Sequence, residues 1–235
     1  MKIITIASLK GGVGKTTLAI FLGLTLSKLK KKVLLIDADP NNNLTDFFLR
    51  DEDTDTLEAK NIYSVLTGRS PVQDCIRSHE YGINILPATP DLAKSQIELV
   101  QDPSAMIRFS KGIKNLNYDY VIYDTPPSLT YELYLAIHEA NVVLCPVAFS
   151  RWTFQGFDLL RYVCQRQEQS SPIAVPSMVS AKDLERIQAS GMENISKSFI
   201  TKSSALSQAA TLGKQLPDKS EIWDQFKALA KEVIK

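Results

Sequence analysis

Short apolar runs alternate with amphipathic stretches along almost the whole chain. Residues 3–8 read Ile-Ile-Thr-Ile-Ala-Ser, a β-branched run that predicts a strand buried on both faces. Residues 16–29 place Leu18, Phe21, Leu22, Leu26 and Leu29 on one helical face, widened by Ile20 and Leu24. That helix runs out in Lys28, Lys30, Lys31 and Lys32, cations that suit the negative end of its dipole. Residues 33–36 are a second apolar run, closed by Asp37. Together they predict a βαβ unit with a glycine-rich loop at its first crossover.

The alternation continues. Helices are predicted over residues 61–67, 92–100, 104–116, 131–140, 154–167, 181–190 and 219–234, and strands over 83–86, 120–123, 142–146 and 173–175. The strand at 120–123 ends at Asp124, and Pro103 separates two of the helices. Strands and helices in this order predict an α/β fold: a doubly wound, mainly parallel sheet with helices on both faces. Residues 50–60 carry the acidic run Asp51-Glu52-Asp53-Thr54-Asp55 and read as a solvated loop.

Composition narrows the picture. The chain has 235 residues, 44% hydrophobic and 23% charged, which excludes general disorder and fibrous classes and suits one domain over 1–235. Lysine plus arginine number 27 against 26 acids, so any pull on nucleic acid must come from a local patch. Cys75, Cys145 and Cys164 are scattered, form no C-x-x-C pair, and read as core residues in a reducing compartment. No run approaches membrane-spanning length and no leader pattern opens the chain, so the expected location is the cytoplasm.

The candidate chemistry lies in Lys10-Gly11-Gly12-Val13-Gly14-Lys15-Thr16-Thr17, between the first strand and the first helix. Backbone N–H groups can surround a phosphate chain only where side chains do not intrude, and the helix N-terminus adds unsatisfied donors and a positive dipole end. In such a loop Lys15 reaches the β- and γ-phosphates and the Thr16 hydroxyl holds Mg²⁺. The usual pattern opens with glycine; here that position is Leu9, and a second lysine, Lys10, stands beside the double glycine. Mg²⁺ favours oxygen ligands, and the strand-end aspartates Asp37 and Asp124, with Asp39 just beyond Asp37, are the candidates.

Residues 10–17 match the deviant Walker A box of the ParA/MinD superfamily of P-loop ATPases, K-G-G-x-G-K-[ST]-T. Asp37-Ala38-Asp39-Pro40-Asn41-Asn42-Asn43 resembles that family's D-x-D-P-x-x-N segment. Residues 118–128, through Asp124-Thr125-Pro126-Pro127-Ser128, resemble its Walker B segment and second switch. Weaker echoes follow at Leu86-Pro87-Ala88 and Leu206-Ser207-Gln208-Ala209-Ala210, and the chain is most similar to the short form of ParA. The resemblance implies a homodimer with ATP sandwiched between subunits, in which Lys10 contacts the phosphates bound by the other copy. It also implies that Asp39 orients the attacking water and that Asp37 and Asp124 stand around the magnesium. By the same likeness Pro176 and Met178 are candidate adenine contacts, and a ParB-like centromere-binding protein would stimulate slow hydrolysis to drive plasmid or chromosome partition.

ParA-type dimers bind DNA non-specifically through late basic residues. The candidates are Lys197, Lys202, Lys214, Lys219, Lys227, Lys231 and Lys235, with Lys182 and Arg186 upstream; such binding would place the protein on the nucleoid. The stretch Thr201-Lys202-Ser203-Ser204-Ala205 lacks the arginines that some relatives carry there. The alternative branch, MinD, inserts a basic amphipathic tail into lipid. The last helix is amphipathic, with Ile222, Trp223, Phe226, Leu229, Ala230, Val233 and Ile234 on one stripe, but such a stripe more often packs on the sheet, so a membrane is not the expected partner. A nucleotide-dependent scaffold with little catalysis is the further alternative.

Overall fold

The fold comes from a computed structural model that describes residues 1–234. Eight strands form one sheet: β1 (Lys2–Ile6), β2 (Val33–Asp37), β3 (Arg77–His79), β4 (Ile83–Leu86), β5 (Tyr120–Asp124), β6 (Val142–Val147), β7 (Ile173–Val179) and β8 (Ile200–Thr201). Their order is β3-β4-β2-β5-β1-β6-β7-β8, parallel throughout except for the edge pair β3/β4. Side chains alternate between the faces, as strand geometry requires. Ile4, Ile6, Leu35 and Ile122 join one apolar cluster, while Ile3, Leu34, Ile36, Val121 and Tyr123 join the cluster behind. Every residue of β2 and β5 is buried, which is why these strands read as unbroken apolar runs.

Helix α1 (Lys15–Lys28) lies on the first face and is covered by the last helix, Ile222–Ile234. Phe226 is fully buried with its ring 5.7 Å from Phe21, and the Trp223 ring is 5.8 Å from Phe21. The apolar stripe of the last helix therefore packs into the core, with Ile222, Trp223, Phe226, Leu229, Ala230 and Val233 buried. Among the described residues no helix is long and apolar enough to cross a membrane. All three cysteines are free and buried, as the sequence predicts.

Several elements depart from the sequence expectation. Residues 50–60 are not all loop: Thr54–Ala59 is a short helix capped by Asp53, whose carboxylate accepts from Thr56 N at 2.9 Å, although the helix buries none of its residues. Helix α2 (Asn43–Leu49) and the helix Ser204–Leu212 were not legible as periodic stretches, nor were the short strands β3 and β8. The region 92–100 is a broken succession of 3₁₀ turns around one α turn. The helix after β6 begins at Arg151 rather than 154, because Ser150 caps it by accepting from Thr153 N at 3.2 Å. Strand β7 continues to Val179, past the expected end at 175, and the last helix begins at Ile222 rather than 219.

Candidate functional site

The sheet register gathers the candidate residues. Ile6, at the end of β1, pairs with Asp124, and Asp37 pairs with Asp124 across β2 and β5. The glycine loop leaves β1 at this same carboxyl rim and runs into α1. Gly14 caps the helix in a left-handed conformation, φ 89°, that side chains disfavour. A Cβ there would also stand 3.2 Å from Met178 Cε. The first turn of α1 holds no acidic residue, so its free N–H groups face an open site.

A cleft of about 650 Å³ opens over the loop, bordered by Gly11, Gly12, Gly14, Lys15, Thr16 and Thr17. Asp39 and Met178 line it too, together with residues that sequence reasoning left without a role: Asn41, Asn43, Asp46, Pro127, Ala210 and Thr211. The last two come from the helix Ser204–Leu212, whose motif echo was legible although its position over the cleft was not. Val13 is buried beneath the loop. Pro176 is buried within β7, in register with Val147, and does not border the cleft; Met178, two residues further along the strand, does.

Lys15 is buried, and its Nζ curls back toward the Lys10 carbonyl at a long 3.4 Å. Burial lowers its pKa, while Asp124 and Asp39 act in the opposite direction. Lys10 is exposed, and among the described residues it makes no ion pair. Asp37 is fully buried. Its Oδ2 accepts from Thr45 N at 2.8 Å and Thr45 Oγ1 at 2.7 Å, and its Oδ1 accepts from Asp39 N at 3.2 Å. Burial pushes the Asp37 carboxyl up to about 6 against these bonds. Asp39 Oδ1 accepts from the backbone N and the Nδ2 of Asn41, both at 2.9 Å, and Oδ2 makes no hydrogen bond among the described residues.

Asp124 is the electrostatic extreme. Both of its oxygens are buried and neither has a hydrogen-bond partner among the described residues. Burial and the neighbouring Asp37 raise it well above the ordinary carboxylate range; Thr16 and Lys15 pull the other way without completing a bond of good geometry. An orphaned buried carboxylate beside a hydroxyl and a second carboxylate is an all-oxygen donor set that fits a hard divalent cation. Among the described residues no three acidic, histidine or cysteine side chains form an all-protein cage.

A parallel sheet with a glycine loop feeding a helix at its carboxyl rim, facing strand-end aspartates, is the P-loop nucleotide-binding class. The family model described as "AAA domain" matches residues 1–174. The chain belongs to that family, and its deviant Walker A box and its Soj and ParA relatives identify it as a member of the ParA/MinD superfamily. It is 36% identical over 162 residues to the sporulation initiation inhibitor protein Soj of Bacillus subtilis, covering 68% of this chain and 63% of that protein. It is 33% identical over 171 residues to the chromosome partitioning protein ParA of Myxococcus xanthus, covering 72% and 59%. The chain thus spans less than two thirds of the length of these curated relatives. The structure of an ATP complex of a Cyanothece McdA variant is similar with a TM-score of 0.86 and 26% identity, covering 100% of this chain and 96% of that one.

Proposed function

We propose that this protein is a Mg-ATP-dependent dimerising ATPase of the ParA type that drives plasmid or chromosome partition. One observation carries the reading: the glycine loop, Lys15, Thr16 and Asp39 line a single cleft, and at the strand ends behind it the buried Asp37 and Asp124 stand in register, Asp124 with no hydrogen-bond partner among the described residues. The Soj and ParA relatives, named for sporulation control and chromosome partitioning, support the process. The ATP complex of McdA supports the ligand.

In this reading the amides of Gly11 to Thr17 wrap the phosphate chain, and Lys15 turns from the Lys10 carbonyl onto the β- and γ-phosphates. The Thr16 hydroxyl, with Asp37 and Asp124 around it, would hold a magnesium ion, which would supply charge neutralisation for the phosphates. Asp39 uses its free Oδ2 to orient the water that attacks the γ-phosphorus, while Asn41 fixes Oδ1. Lys10 reaches the phosphates of a second copy, as an arginine finger does, so that ATP joins the dimer and hydrolysis releases it. Met178 flanks the base. A ParB-like protein stimulates turnover, and the exposed late lysines hold the dimer on DNA.

Size measurement with and without ATP tests the reading. Wild type is expected to shift from monomer to dimer on adding ATP, and Lys10→Ala to bind ATP yet stay monomeric. Asp39→Ala is expected to bind ATP and dimerise with hydrolysis reduced by about a hundredfold or more. A normal ATP-dependent dimer in Lys10→Ala removes the role of that lysine. Undiminished hydrolysis in Asp39→Ala removes the role of the aspartate, and absence of any hydrolysis in wild type leaves the scaffold alternative.

A further inference from the structure

Thr45 lies eight residues beyond Asp37 in sequence, inside α2, and it is buried. Its hydroxyl sits between two groups of fixed polarity. The Ala88 backbone N–H, just past the end of β4, donates to Oγ1 at 2.9 Å. Oγ1 must therefore point its single proton elsewhere, and the Asp37 Oδ2 stands 2.7 Å away to accept it. The Thr45 backbone N–H donates to that same oxygen at 2.8 Å. Asp37 Oδ2 is thus held by two short bonds from one residue, whereas Oδ1 has a single longer bond, 3.2 Å, from Asp39 N. The carboxylate cannot turn without breaking both Thr45 bonds. One oxygen is committed to α2, and the other keeps acceptor capacity for a further donor.

We propose that Thr45 is a positioning residue for the magnesium site: through Ala88 and Asp37 it fixes which carboxylate oxygen is offered to the metal's water shell. This rests on the functional reading above. Thr45 touches neither nucleotide nor ion; it acts through Asp37. Its anchor at Ala88, two residues past the end of β4, ties Oδ2 of Asp37 to the chain beyond that strand, whereas the loop after β2 reaches Asp37 only through the longer bond from Asp39 N to Oδ1. Partners of this kind around metal sites change metal affinity when they are removed, while leaving the rest of the ligand's contacts in place.

The test compares Thr45→Ser, which keeps the hydroxyl, Thr45→Cys, whose thiol is a weak donor, and Thr45→Val, which has none. Mn²⁺ is the probe, titrated into the ADP-loaded full chain and followed by loss of the free-ion EPR signal. ADP affinity without metal is measured in parallel by calorimetry. Serine is expected to match wild type, valine to weaken Mn²⁺ binding by about tenfold or more, and cysteine to fall between. Metal-free ADP affinity should be the same in all four proteins. Unchanged Mn²⁺ binding in Val and Cys overturns the proposal, and so does an equal loss of metal-free ADP binding, the mark of a purely structural role. If the valine variant does not fold, the comparison of serine with cysteine decides. Wild type that binds no Mn²⁺-ADP would overturn the functional reading itself, and this proposal with it.

Discussion

Asp37 and Asp124 stand in register on adjacent strands; burial raises both, and the Asp37 charge raises Asp124 further. A carboxyl whose folded pKa is raised binds its proton more tightly in the folded state than in the unfolded one. For Asp37, with an ordinary value of 3.8 and a folded value of about 6, stability is fully present below the lower value and is lost as pH rises through the upper one. Without nucleotide, wild type is expected to lose on the order of 3 kcal/mol relative to Asp37→Asn as pH rises through that window. Urea titrations of the two proteins across it read the difference, and a flat difference would remove the effect. At this scale the sequence was informative where chemistry is local. Asp37 and Asp124 each close an apolar run, and Lys15 and Thr16 follow a glycine turn. Thr45 was invisible, because its partners Asp37 and Ala88 are brought together only when α2 packs against β2 beside the segment after β4.

Elements differed in how much they revealed, for a physical reason. α1 and the last helix are long and bury wide apolar stripes, so periodicity marks them. α2 and the helix Ser204–Leu212 are short, and the latter buries only Leu206 and Ala209, too few positions to show a period. Their signals lay at the ends instead: Ser203 accepts from Leu206 N at 3.2 Å, and Gly213 terminates the helix at φ 65°. Gly213 also abuts α2, since a Cβ on it would stand 2.8 Å from the Phe47 carbonyl oxygen. The packing of the last helix makes a second prediction. Phe226→Ala is expected to cost about 3–5 kcal/mol of folding stability, visible as a lowered thermal midpoint, with no effect on liposome binding. A detachable lipid-binding tail would give the reverse pattern.

Across the whole molecule, charge is nearly balanced, and the late cations are exposed but partly spoken for. Lys227 pairs with Asp224 at 2.9 Å, and Arg186 lies over the Phe149 ring and 3.9 Å from Asp183. Lys197, Lys202, Lys214, Lys219 and Lys231 are exposed, and Lys235 lies outside the described residues. If about four of these cations meet phosphates, duplex affinity should fall by roughly a hundredfold between about 50 and 200 mM salt. Filter binding with ATP measures the slope, and affinity insensitive to salt, or absent at low salt, removes DNA from the proposed partners.

The strand order also sets a timetable. β5 lies between β1 and β2 in the sheet although more than eighty residues separate it in sequence from β2, and Met178 and Thr211 come later still. A nascent chain emerging from the ribosome as far as Leu86 already carries the glycine loop. It has neither Asp124 nor the far wall of the cleft. The cleft over the glycine loop is therefore complete only once residues as late as Thr211 have folded back onto the first βαβ unit.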